Sequence, residues 1–173
     1  MNAVTTAQPP QVFVRDTSVQ AQTGEGAHAW GVRPPGENDA DTAPLLNASG
    51  DAIRVALGVW RTGTGTATFE PVKDTMRVHA AFTHLVPNGR YSLFVRQLAG
   101  RNGAVFTPLD LTGATNSFSA DAQGAGDVTV GSPLQLTSGS QLVLVFHSDG
   151  VDHQSSIGVL GTNAHPQLIT RVP

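Results

Sequence analysis

The sequence predicts an all-β domain, a sandwich or barrel of about eight antiparallel strands, on three observations. Nineteen glycines and eleven prolines punctuate 173 residues, with Thr and Ser spread between short apolar runs, a composition that favours strands and turns over helices. From residue 51 onward, segments of strand length recur between turn signals. The third observation is the stretch from Gly139 to His153, in which five consecutive apolar residues, Leu142 to Phe146, end at His147 and a Ser-Asp-Gly turn. An apolar run that short, rich in β-branched residues and bounded by Gly139 and Gly150, reads as a strand buried on both faces.

Taken in order, residues 1–49 differ from the rest. Residues 11–15 offer one short strand. Residues 21–47 carry Pro34, Pro35 and Pro44, and three acidic residues in the five from Glu37 to Asp41. So little apolar content cannot build a core alone, so this segment is expected to be an extended N-terminal arm or long loop laid over the domain at 50–173. Trp30, Leu45 and Leu46 are its expected anchors. Strands are expected at 52–60 and 63–70. In the strand at 75–84, Met76, Val78, Ala80 and Phe82 share one face, with Arg77, His79 and Thr83 on the other. The turn at Val86–Gly89 predicts a hairpin to a strand at 90–97. A loop at 99–115, strands at 116–121 and 126–130, a loop at 148–163 and a closing strand at 167–172 complete the chain. No long helix is expected.

Composition excludes several functions. Only 13% of residues are charged and the net charge is -3, against about a quarter charged in an ordinary soluble domain. With Lys73 alone and scattered arginines, no clustered basic surface exists for nucleic acid. No apolar run reaches the length of a transmembrane segment. Cysteine is absent, which removes disulfides, thiolate metal sites and cysteine nucleophiles. Residues 1–10 lack the apolar core of a signal peptide, and we read a signal as already removed from a secreted or periplasmic protein.

Four segments, in order, resemble the copper-zinc superoxide dismutase family. They are Gly65–Glu70, Met76–Gly89, Asn116–Val130, with its Ala120-Asp121 pair and following glycines, and Gly139–His147. The resemblance implies an eight-stranded antiparallel Greek-key β-barrel over residues 50–173. It does not imply dismutase activity. Where the family carries its first His-x-His copper pair, this chain has Phe94 and Arg96, and residues 99–115 offer no histidine and only Asp110 for a zinc loop. His147 alone matches a ligand position. The ending, from His147 through His153 to Arg171, is also similar to that of uncharacterised exported bacterial proteins.

The leading candidate site is metal: His147, His153 and His165, with Asp149 or Asp152. Imidazoles with a carboxylate suit Cu or Zn, and three protein ligands with one open position is the catalytic arrangement. No short ligand motif such as His-x-His is present, and the same side chains also fit a structural role in which His147 and Asp149 bond loop backbone while His153 is solvated. His79 and His84, five apart on one strand, point to opposite faces. A hydrolytic set of Ser148 or Ser155 with His153 and an aspartate lacks a Gly-x-Ser-x-Gly elbow. Asp149, Trp30, Trp60 and Tyr91, with Phe106, are candidates for a ligand or partner surface, although aromatics in a sandwich more often fill the core.

The expected function is an exported β-sandwich, without dismutase chemistry, acting as a binding or structural module. Two other classes fit: a copper- or zinc-binding protein or metalloenzyme on the histidine cluster, and a subunit of a surface or particle assembly that associates through residues 1–49.

Overall fold

The computed structural model describes residues 2–6, 11–24, 26–98 and 104–173. The strands are β1 (Asn2–Thr6), β2 (Val14–Arg15), β3 (Val32–Arg33), β4 (Pro44–Leu46) and β5 (Ala52–Ala56). A short helix α1 (Leu57–Thr62) precedes β6 (Thr64–Val72), β7 (Thr75–Thr83), β8 (Arg90–Leu98) and β9 (Ala104–Pro108). The chain ends with β10 (Ser117–Ser119), β11 (Gly126–Ser132), β12 (Gln141–His147) and β13 (Ala164–Arg171).

Among the described residues, all pairings between these strands are antiparallel. One layer runs β11–β7–β6, and the other runs β13–β12–β8, with β10 and β9 following one another along the far edge of β8. β1 joins them, because Asn2–Val4 pair with β6 while Thr5 and Thr6 pair with β13. The layers pack face to face as a β-sandwich. Ala67, Val78, Ala80, Phe82 and Val130 from one meet Tyr91, Leu93, Val95, Leu142, Leu144, Phe146 and Leu168 from the other. The alternation read for β7 holds, with Val78, Ala80 and Phe82 buried and Arg77, His79 and Thr83 exposed.

β12 is buried along both faces, as its composition requires. Leu142, Leu144 and Phe146 enter the central core. Val143 and Val145 face the opposite way, into a second cluster with Phe94 and Ala164 that Phe106 and Ile157 cover. Pleating by alternate residues explains why no polar residue interrupts the run. It also carries His147 to the outer side, in phase with Val143 and Val145.

Three expectations about the strands and their links need correction. β7 and β8 do not form a hairpin: β7 pairs with β6 and β11, and β8 with β12, β9 and β10. Leu85, only 1% exposed, drops into the core where a hairpin would keep pairing, and its N–H donates to Gly124 O. The link therefore crosses from one layer to the other. Residues 57–60 are helical rather than extended, because Leu57 and Trp60, one turn apart, are both buried. The expected loop at 99–115 contains β9 at 104–108; residues 99–103 lie outside the described residues.

The described part of residues 1–49 lies along the sandwich. Leu45 and Leu46 are buried as expected, with Val12, Phe13, Val14 and Val32, and β4 pairs with β5. Trp30 is not an anchor; it is 61% exposed. The acidic turn is held by arginines instead. Arg33 donates to both carboxylate oxygens of Asp39, at 2.7 Å each, and to Asp16 at 2.9 Å, while Arg61 donates to Gly36 O and Asp39 O. The Arg33 guanidinium holds the Asp39 carboxyl well below its ordinary range.

Tyr91 of β8 ties the crossing link, β13 and α1 together. Its hydroxyl accepts from Val86 N–H (2.9 Å) and donates to Gln167 Oε1 (3.1 Å), while Gln167 Nε2 donates to Trp60 O (3.0 Å). Tyr91→Phe leaves a buried donor and acceptor unmet, an expected loss of about 1–3 kcal/mol, read as a lower urea midpoint with unchanged slope.

Candidate metal site at the end of the central strand

His147 is the last residue of β12, paired in register with Arg90 of β8 and Ala164 of β13. The chain turns immediately after it. Gly150, at φ 76, donates its N–H to His147 O, and Ser148 N–H donates to Asn163 O. The turn brings Asp149 back beside the strand end. Its Oδ1 accepts from Val151 N–H, and its Oδ2 lies 3.0 Å from His153 Nε2 and accepts from Asn163 Nδ2 at 2.9 Å. Asn163 is itself held by Val159 N–H on its Oδ1.

The loop is buttressed from outside. Gly113, at φ 77, sits where a Cβ would come within 2.0 Å of the Gln154 carbonyl carbon, so the 110–115 turn lies directly against it. Asp110 caps that turn, accepting from Gly113 and Thr115 N–H.

His147, Asp149 and His153 each bring one ligand atom within 4.8 Å of the other two. The His147 ring is 1% exposed and centred 5.4 Å from the His153 ring. Its Nε2 is 2.9 Å from Ser92 Oγ, and its Nδ1 is buried with no hydrogen-bond partner. Burial, reinforced by the nearby His153, pushes the His147 pKa down from 6.5 to about 4, so the ring is neutral near pH 7. Burial alone raises Asp149, but the Val151 N–H, His153 and Asn163 outweigh it and hold the carboxyl below its usual range, ionised. The donor set is a neutral imidazole, a carboxylate and a second imidazole.

His165 does not join this group. Its Nδ1 lies 2.7 Å from Gln11 O, which can only accept, so Nδ1 carries the proton and Nε2 accepts the Ser148 hydroxyl at 2.8 Å. Both nitrogens are committed. Ser148 therefore meets His165 and not His153, contrary to the hydrolytic grouping. Asp152 is turned to Arg90, which also donates to Ser117 Oγ. His79 pairs with Asp127 on the other layer, and His84 sits in the turn after β7 at φ 57. Trp60 and Tyr91 are core residues, 3% and 0% exposed, and cannot form a recognition surface. Trp30 stays exposed, and Phe106 packs over the outer cluster.

Three further residues shape the site: Ser92, Asn163 and Arg90. Ser92 is signalled only by strand register, since it pairs with Val145, two residues before His147. Asn163 is fourteen residues from Asp149, and no local spacing marks it.

Imidazole and carboxylate donors suit Zn²⁺ or Cu²⁺. An Nε2–H donated to Ser92 would leave the lone pair on Nδ1, the usual way a hydrogen bond fixes the tautomer of a metal-binding histidine. Comparison of the chain with known protein families, with curated proteins and with solved structures gives no match.

Proposed function

We propose that this β-sandwich is an exported binding module whose ligand is a Zn²⁺ or Cu²⁺ ion held by His147, Asp149 and His153. The observation that carries the reading is the orphaned Nδ1 of His147. A buried polar atom without a partner costs about 1–3 kcal/mol, and here it belongs to a neutral imidazole beside two other donors. An ion at that point would satisfy it.

The reading keeps the dismutase-like scaffold and leaves out dismutase chemistry. Phe94 is packed in the outer apolar cluster, and Arg96 donates to Gln141 Oε1, so neither offers a lone pair to copper. Titration of Zn²⁺ or Cu²⁺ into metal-free protein is expected to show one ion per chain. His147→Ala is expected to weaken binding at least ~100-fold, more than the 10–100-fold typical of losing a supporting residue, with the circular dichroism of a folded β protein retained. Equal affinity in the two proteins would sink the reading.

A further inference from the structure

We infer that the ion takes three side chains only, and that its remaining positions face solvent and accept a small bidentate oxygen ligand of the carboxylate or hydroxamate class beside the Asn163 amide. This rests on the metal reading above and goes beyond it, because a closed four-ligand site would be purely structural.

Among the described residues no further His, Asp or Glu brings a ligand atom within 4.8 Å of all three, and the nearest candidates are turned to other partners. His165 gives one nitrogen to Gln11 O and the other to Ser148. Asp152 is bound by Arg90 and Ser117. Asn163 holds its oxygen on Val159 N–H and presents its Nδ2, a donor, toward Asp149 and His153. A donor cannot ligate a cation. The trio is asymmetric in exposure: His147 is buried, while the side chains of Asp149 and His153 are 34% and 25% exposed. The free coordination positions therefore lie on the loop side, open to solvent.

Asn163 gives that opening a preference. Its Nδ2 lies 3.3 Å from His153 Nε2, a contact that an ion on that nitrogen displaces. The freed N–H then points where an exogenous oxygen on the ion would sit. An oxygen chelator gains both the ion and this donor; a thiol or amine ligand gains only the ion.

Cobalt(II) reports the coordination number, so the full chain is loaded with Co²⁺ and titrated with acetohydroxamate, with metal content followed after gel filtration. The expected result is weak visible bands of five- or six-coordinate cobalt that shift on adding about one equivalent, with the metal retained. Asn163→Asp, which replaces the donor by a carboxylate, is expected to weaken acetohydroxamate at least ~10-fold beyond whatever change it makes in cobalt affinity, which is titrated alongside. Intense four-coordinate bands that ignore the chelator would overturn the inference and leave the metal reading standing. So would removal of cobalt by the chelator without a ternary complex. Failure to take up cobalt, with no Zn²⁺ or Cu²⁺ bound either, would overturn both.

Discussion

Between pH 6.5 and pH 4 the metal-free protein is expected to lose about 3 kcal/mol of stability through His147 alone, since its pKa falls from 6.5 unfolded to about 4 folded. The sign follows from proton counting. In this window the unfolded chain binds a proton at this histidine and the folded chain does not, so lowering the pH favours unfolding. The groups around the ring do not cancel the effect. Burial, the nearby His153 and the Arg90 charge favour the neutral form, and Asp149 and Asp152 oppose them. His165, also held down by burial, adds in the same direction. Below about pH 4 a second loss begins, as Asp16, Asp39, Asp110, Asp149 and Asp152, all with lowered pKa values, are protonated. Urea denaturation at several pH values separates the two. His147→Leu is expected to flatten the first slope and leave the second. A midpoint constant from pH 7 to pH 4.5 in the wild type would contradict the burial of a neutral ring.

Which parts of this molecule a reader of the sequence can see follows from how local their physics is. The strand ending at His147 is legible because burial on both faces forces an unbroken apolar run. The alternation of β7 is legible because one face is core and the other solvent. The crossing from β7 to β8 is not, because a Pro-Asn-Gly turn serves a hairpin and a crossover equally well; Leu85 decides it by entering a core assembled from distant strands. The helical turn at Leu57 is hidden for a similar reason, since six residues carry too little periodicity to outweigh the preceding strand. In the site, His147, Asp149 and His153 lie within seven residues, and a turn suffices to join them. His165 looks equivalent by residue type, yet its place on β13 sets both nitrogens against Gln11 and Ser148. Trp60 and Tyr91 teach the same lesson: an aromatic ring reads as surface or core only once its layer is known.

Replacing both members of the buried pair, as Ser92→Ala with His147→Leu, is expected to reverse the stability order of variant and wild type according to whether metal is present. Ser92 and His147 are 2% and 1% exposed and bond each other at 2.9 Å. Removing one partner strands the other, but substituting apolar groups of similar shape for both is close to neutral or stabilising. Here the wild type also carries the unpartnered Nδ1, and the double variant removes it. Without metal, the variant should therefore unfold within about 1 kcal/mol of the wild type or above it. With free Zn²⁺ at a thousand times its dissociation constant, the wild type gains about 4 kcal/mol by mass action and the variant gains nothing. Thermal melts of the two proteins, with and without Zn²⁺, read both halves of the prediction. A metal-free variant more than about 3 kcal/mol less stable than the wild type would mean that His147 is a structural element of the strand end. The predicted crossing of the two orders would mean that the fold keeps a costly buried imidazole because an ion completes it.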